Sequence, residues 1–188
     1  EEQVLMPHFT FHGFRYAAVE GIENPRPEMF TACVMHSDMR KTGEFHCSNE
    51  KVNQLQSNIS WSLRDNFFDI PSDCPQRDER LGWMGDAQVF SWTAAFNRET
   101  ALFFTKWMRD VSAASSLERG VPHIVPDIQE TYSSAAWSDA AVIIPWVVYQ
   151  TYGDTRILEE SWKCMHEWVD YIHNHVNENG LWMTNYQY

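Results

Sequence analysis

Charged and aromatic residues are concentrated in one segment, residues 73–86, which holds four carboxylates, two guanidinium groups and one indole. It also contains a proline and two glycines, a composition that predicts a shaped loop rather than a solvated helix face. Leu81 and Trp83 place apolar surface among the charges, and such contact raises the pKa of a carboxyl group towards the range useful for a general acid. The alternative interpretation is a surface ion-pair network that Arg77 and Arg80 form with the acids.

Carboxylates beside tryptophan are the groups that hydrolysis of a glycosidic bond requires. One carboxylic acid protonates the departing oxygen, and a second carboxylate activates water or attacks the sugar directly. Tryptophan faces stack on the apolar C–H face of a pyranose, and Asp/Arg pairs bind its hydroxyl groups. Because carboxylate-rich loops also bind metals, composition alone leaves both chemistries open.

The first 36 residues differ in texture from the rest of the chain. Residues 9–18 and 30–35 are rich in β-forming side chains, and the turn-rich residues 23–27 lie between them. The sequence therefore predicts strands here. Because two strands cannot bury a face alone, we expect them to be the tail of a β-domain whose remainder lies upstream.

From about residue 48 the pattern becomes helical, with Ser48 as the expected N-cap of a first helix that ends at Asn66. Further helices are predicted over residues 86–95, 99–114, 138–152 and 155–176. Short turns alternate with long loops between these helices, which predicts helical hairpins around a centre with the long loops on one side. Long loops are uncommon in a compact helical domain unless they carry function, so we expect the site there.

Composition excludes several classes of function. With 26 acidic and 14 basic residues the formal charge is −12, which repels nucleic acid and anionic membrane surfaces. No apolar run approaches the ~18 residues that span a bilayer. The four cysteines lie far apart without a Cys-x-x-Cys spacing, so neither structural zinc nor a dense disulfide framework is expected. No signal peptide is visible, and the localisation and oligomeric state stay unassigned.

Neither end of the chain resembles a natural terminus. The chain begins without Met inside a β-rich segment, and it stops at residues 185–188 with no cap or polar tail. We therefore expect a piece of a longer protein.

Residues 73–86 resemble the signature of bacterial α-L-rhamnosidases, glycoside hydrolases with a six-hairpin (α/α) barrel. Other parts of the chain resemble the same family in the same order. Residues 12–16 and 19–21 resemble the end of its β-sandwich, and residues 121–127 and 135–142 resemble its second active-site loop and the helix that follows. Residues 152–154 resemble its next hairpin turn. The resemblance implies a mainly α fold. Residues 37–188 would form the first part of an (α/α)6 toroid, and residues 1–36 the last strands of a β-sandwich.

The resemblance also assigns roles to the charged residues. Glu79 matches the family's general acid. Asp73 and Arg77 match residues that hydrogen-bond the bound rhamnose, and Asp86 matches a further essential acid of the pocket. Asp78, beside the acid, is the rival for the acid's role and is included among the substrate-binding candidates.

Two aromatic residues, Trp83 and Trp137, match the walls of the family's sugar pocket. Rhamnose is a 6-deoxy sugar, and its methyl group needs such an apolar surface. Core packing is the alternative for Trp137. Asp139 is expected either to stabilise a helix N-terminus or to contact sugar, and His123 is expected to be structural.

The implied reaction is hydrolysis of terminal non-reducing α-L-rhamnose from glycosides or polysaccharides, with inversion at the anomeric carbon and with neither cofactor nor metal. In the family the catalytic base is a glutamate much further along, beyond Tyr188, so the pocket of this chain is expected to be incomplete. The alternatives are another α/α-toroid glycosidase or lyase that acts on a different sugar, and a non-catalytic sugar-binding relative.

Overall fold

The computed structural model describes residues 3–182, which are mainly helical. The five α-helices of this described part are α1 Glu50–Asn66, α2 Met84–Asn97, α3 Ala101–Ala114, α4 Ala140–Tyr152 and α5 Arg156–His175. After α1 the chain forms a small antiparallel hairpin from β1, Phe67–Phe68, and β2, Ile70–Pro71. The expected cut at residues 185–188 lies outside the described residues.

Within the described residues, the N-terminal segment forms no strands of its own. Over residues 3–36 the only regular element is a short 3₁₀ helix, Pro27–Met29, and the rest is irregular. A strand exists only through hydrogen bonds to a neighbouring strand, and the described chain offers this segment none. Residues 3–36 are rich in β-forming side chains, but such residues form a sheet only when a neighbouring strand is present to pair with them.

The predicted helices are confirmed, and every predicted end lies within two residues of the observed end. Helix α1 begins one residue later than expected, because the side chain of Asn49 rather than Ser48 caps it by accepting a hydrogen bond from Lys51 N at 3.0 Å. Helix α4 ends at Gly153, whose left-handed φ of 67° closes the helix and leads into α5.

Helix α4 lies at the centre of the bundle, where it packs against α2, α3 and α5. The buried stripe of α5 consists of Ile157, Ser161, Cys164 and Trp168, which recur at helical spacing. Aromatic packing fixes the other end of the bundle, since Phe67 stacks on Phe103 of α3 with ring centroids 4.6 Å apart.

The two long loops, residues 67–83 and 115–139, meet side by side, as the alternation of short turns and long loops predicts. Met84 N donates to His123 O at 2.8 Å, and Val125 N donates to Gly82 O at 2.9 Å. Gly82 is required at this crossing because a Cβ there would overlap Val125 O. The backbone of the second loop therefore holds the charged loop in place.

The N-terminal segment supports the charged loop from another side. Gly13 N donates to Pro75 O at 3.1 Å, and Arg80 Nη1 donates to Phe11 O at 2.9 Å. The Arg80 guanidinium also lies over the Phe11 ring, 4.8 Å from its centroid. Residues before the helical domain thus help to shape the site. None of the helices within residues 3–182 is both long and apolar enough to span a membrane.

Candidate active site

Glu79 is held by hydrogen bonds to both of its carboxylate oxygens. Arg77 contacts Oε2 through Nη2 at 2.6 Å and through Nε at 2.8 Å. The indole Nε1 of Trp83 donates to Oε1 at 3.0 Å. The Cys74 thiol donates to Oε2 from 3.8 Å. These donors fix the carboxyl group in one orientation, with its side chain 30% exposed.

Asp73 closes the loop that presents Glu79. Its backbone N donates to Leu81 O at 3.1 Å, and its Oδ1 accepts from Leu81 N at 3.2 Å. This pair of bonds joins the two ends of the loop. Within the loop, Arg80 adopts a left-handed φ of 53°, and its Nε bonds the Arg77 carbonyl at 3.1 Å. Uncommon backbone of this kind concentrates at functional sites.

The sequence predicts a raised pKa for at least one carboxyl of this loop, and Glu79 is not that carboxyl. The hydrogen bonds from Arg77, with help from Trp83, hold the pKa of Glu79 below its ordinary value despite partial burial. In this state the group is a carboxylate. Within the charged loop, the carboxyl whose pKa is raised is Asp86, where desolvation is the main cause and the nearby charges of Asp73 and Glu79 add to it.

A cavity of about 490 Å³ lies beside the Glu79 cluster. Its lining includes Asp73, Asp86 and Trp137, and also the start of α2. The Trp137 ring lies close against Gly85, where an added Cβ would come within 3.0 Å of Trp137 Nε1. Asp73 belongs to both features, since its side chain is 11% exposed and lies 3.9 Å from Arg77 Nη2. The structure therefore brings Asp73, Asp86 and Trp137 together around an open space, and Asp73 links that space to the Glu79 cluster. Of the predicted site residues, those that do not line the cavity are Arg77, Asp78, Glu79 and Trp83.

Asp78, the rival for the acid's role, points away from this cluster. Its side chain is fully exposed, and its contact with Arg80 Nη2 is long, at 3.9 Å. The ion-pair network of the alternative interpretation exists, but it is not confined to the surface, because the Asp73 side chain is only 11% exposed and that of Glu79 is partly buried. Glu79 is therefore held by donors, whereas Asp78 is not.

Two further predicted residues have structural contacts. Asp139 accepts from Trp168 Nε1 at 3.0 Å and from Ala136 N at 2.8 Å, so its carboxylate ties the second loop to α5. His123 is buried, its Nε2 lies 2.7 Å from Ser134 Oγ, and burial lowers its pKa. The expectation that His123 is structural agrees with this environment.

Sequence reasoning missed two residues of this site. Cys74 was considered only for disulfides and zinc, although it directly follows Asp73. Arg80 was considered only as a partner for acids, whereas it bonds carbonyls of its own loop and of the N-terminal segment. Position inside the charged segment was the available signal for both.

Asp73, Cys74 and Glu79 place possible metal-ligand atoms within 4.8 Å of one another. The guanidinium of Arg77 already lies against two of these residues, with contacts of 2.6 Å to Glu79 and 3.9 Å to Asp73. A bound cation would have to displace that positive charge. The cluster therefore fits an acid held by donors better than a metal centre.

Comparisons with known proteins show which family this chain resembles. Residues 40–188 match the sequence model of the bacterial α-L-rhamnosidase six-hairpin glycosidase domain, and residues 1–36 match that of the bacterial α-L-rhamnosidase concanavalin-like domain. An α-L-rhamnosidase of Formosa agariphila is 45% identical over 96% of this chain and 21% of its own length. One from Streptomyces avermitilis is 41% identical over 93% of this chain and 17% of its own length.

Solved structures show the same likeness. The Streptomyces avermitilis α-L-rhamnosidase complexed with L-rhamnose aligns with a TM-score of 0.74 at 39% identity, over 76% of this chain and 14% of that one. The native Aspergillus terreus α-L-rhamnosidase aligns with a TM-score of 0.73 at 44% identity, over 79% of this chain and 17% of that one. The chain spans about a fifth of the length of the curated relatives it matches. By the match over residues 40–188, this chain belongs to the bacterial α-L-rhamnosidase six-hairpin glycosidase family.

Proposed function

We propose that the protein containing this chain hydrolyses terminal non-reducing α-L-rhamnose from glycosides or polysaccharides, with inversion at the anomeric carbon. The observation that carries the proposal is the enclosed cluster around Glu79, which lies beside the cavity lined by Asp73, Asp86 and Trp137. Relatives 33–45% identical over most of this chain bear the name α-L-rhamnosidase.

Glu79 is the proposed general acid. It must carry a proton to give to the glycosidic oxygen, whereas the Arg77 pair keeps it ionised in the free site. A sugar that hydrogen-bonds Arg77 and Asp73 would weaken that pair and let the pKa of Glu79 rise. Binding and activation of the acid would then be coupled.

The remaining residues form the proposed sugar pocket. Asp86 contributes a carboxylate with a raised pKa at the N-terminus of α2, and Trp137 offers an exposed indole face to the apolar side of the ring. Trp83 is proposed to contact the methyl group while its N–H holds Glu79. The role of Asp78 is the weakest of these assignments because its carboxylate is exposed.

An inverting reaction needs a second carboxylate on the opposite face of the sugar, far enough away to admit a water. We propose that this base lies in sequence beyond Tyr188. We also propose that residues 1–36 end a β-sandwich domain and residues 37–188 begin the helical domain, which the two family matches and the onset of helices at Glu50 support.

The test is to express the complete protein and follow cleavage of an α-L-rhamnoside by NMR. Initial release of β-L-rhamnose, lost in Glu79→Gln, is the expected result. Initial release of the α-anomer would overturn the inverting route. Binding of L-rhamnose without cleavage would indicate a non-catalytic relative, and cleavage of a different glycoside only would indicate another toroid enzyme.

A further inference from the structure

The buried thiol of Cys74 lies beside the proposed acid and has no part in the chemistry proposed above. The Cys74 residue is 6% exposed, and its Sγ lies 3.8 Å from Glu79 Oε2, the same oxygen that Arg77 contacts. A thiol donates a weak hydrogen bond and accepts only a weak one. Towards a carboxylate, which in its ionised form can only accept, the thiol must be the donor.

We infer that Cys74 is a positioning residue of this site, whose thiol donates to Glu79 Oε2 and, with Trp83, fixes the acid when Arg77 turns to a substrate. This inference rests on the proposed role of Glu79. It goes beyond that role by naming a group that acts through the acid without touching the sugar.

The protonation state of the thiol supports the inference. Burial raises the pKa of Cys74, and a hydrogen bond to the neighbouring Asp73 carboxylate adds to the effect, while Arg77 and the Arg80 backbone oppose it. The sulfur therefore keeps its proton and remains a donor, for which Asp73 and Glu79 are the two nearby carboxylate acceptors. A thiolate beside Glu79 would repel the carboxylate instead. The other titratable groups that interact with Glu79 among residues 3–182 are Arg77, Asp73 and Asp86.

Cys74 differs from Arg77 in how far it is exposed. Arg77 is 62% exposed on its side chain and is free to turn towards a ligand, whereas Cys74 is enclosed and cannot leave. When Arg77 turns away, Oε2 keeps the thiol as a donor and Oε1 keeps the Trp83 indole. The acid would therefore stay in place while the strongest influence on its pKa is removed.

The experiment uses the complete protein and reads the titration of Glu79 directly. The indole N–H of Trp83 bonds Glu79, so its ¹⁵N NMR resonance, assigned by its loss in Trp83→Phe, should shift with pH as Glu79 titrates. Glu79→Gln should abolish that titration and so validates the reporter.

Removing a donor to a carboxylate raises its pKa, so Cys74→Ala should move the midpoint upwards. Cys74→Val, which keeps the volume without the donor, should do the same if the alanine variant does not fold. Cys74→Ser keeps a donor and should leave the midpoint at or below that of the unmodified protein. Cys164→Ala is the matched control, because that buried thiol pairs with Ser115 between α3 and α5.

The same shift should appear in activity. A general acid works only while protonated, so the alkaline limb of the pH profile of kcat/KM should move upwards in Cys74→Ala and Cys74→Val, and not in Cys164→Ala. A midpoint in both donor-free variants equal to that of the unmodified protein would overturn the inference. The NMR titration needs no turnover, so it tests Cys74 even if the protein does not cleave rhamnosides.

Discussion

At the scale of single residues, the site is a carboxylate surrounded by donors. Arg77, Trp83 and Cys74 all contact Glu79, and each has a different consequence for its charge and position. The strongest of them, the Arg77 pair, opposes the proton that a general acid must carry. On the proposed role of Glu79 as the acid, we therefore expect the pH profiles of the free enzyme and of its sugar complex to differ.

The exchange Glu79→Gln in the complete enzyme should lower turnover of natural rhamnosides by ~10²–10⁴-fold, because an amide has no acidic proton to give. The loss should be smaller for 4-nitrophenyl α-L-rhamnoside, whose leaving group needs less protonation. L-Rhamnose binding should persist. Asp78→Asn is the matched control, and loss of turnover there with retention in Glu79→Gln would reverse the assignment.

Arg77→Gln should move the alkaline limb of kcat/KM to higher pH. The guanidinium lowers the pKa of Glu79, and activity falls as pH rises through that pKa, so removal of the charge extends activity upwards. In the unmodified enzyme the limb of kcat should already lie above that of kcat/KM, because bound sugar engages Arg77. Coincident limbs in steady-state profiles would argue against coupling of binding to the acid.

Trp83 has two separable functions, an apolar face and an N–H donor. Trp83→Ala should weaken discrimination for L-rhamnosides over L-mannosides by ~1–3 kcal/mol, because the methyl contact is lost. Trp83→Phe should keep most of the discrimination, because the ring is retained. It should move the alkaline limb of the pH profile of kcat/KM to higher pH, because the N–H donor to Glu79 is removed. An unchanged ratio of kcat/KM for the two glycosides in Trp83→Ala would remove Trp83 from the methyl pocket.

At the scale of elements, the site depends on the crossing of two loops that neither loop forms alone. Gly82 and Val125 exchange backbone contacts at this crossing, and Met84 begins α2 directly after it by bonding His123 O. The close approach makes the crossing sensitive to a single added methyl group.

Gly82→Ala should destabilise the complete protein by ~1–3 kcal/mol and reduce kcat/KM, because its Cβ would overlap Val125 O and push the loops apart. The thermal midpoint and the steady-state rate measure the two effects. Gly21→Ala is the control, because it has a left-handed φ of 79° but open space around its Cα. It should cost stability without altering kcat/KM. If Gly82→Ala and Gly21→Ala changed kcat/KM equally, the loop crossing would have no specific effect on the site.

At the scale of the whole molecule, the helical bundle leaves apolar side chains uncovered. Trp162 of α5 is 64% exposed, and Val89 and Phe96 of α2 are 79% and 70% exposed. Trp168 of the same helix is not among them, because it is 2% exposed and donates a hydrogen bond to Asp139. Exposed apolar area on this scale normally meets another surface.

Residues 1–188 expressed alone should therefore show no rhamnosidase activity and should bind a hydrophobic dye or associate. The proposed acid without its base cannot drive an inverting displacement. Size-exclusion chromatography, dye fluorescence and a rhamnoside assay measure these outcomes, with the complete protein as the control. A monodisperse, cooperatively melting and active 188-residue monomer would contradict the need for further sequence.

The helices and the segment that holds the candidate site could be predicted from local signals in the sequence. Helical spacing, the turn at Gly153 and the charged segment are local signals, so α1 to α5 and the loop at residues 73–86 could be predicted from them. The motif around Glu79 also identified the family, because a long pattern of specific residues is rare by chance.

Which side chains contact one another could be seen only in the folded structure. The lowered pKa of Glu79, the thiol of Cys74 against it and the anchoring of Arg80 to Phe11 depend on how the loop folds back. Residues 3–36 form no strands in the described chain, because a β-strand needs hydrogen-bond partners from another strand. Helices satisfy their hydrogen bonds locally and so can be read from sequence, whereas strands and carboxylate environments depend on contacts between distant residues.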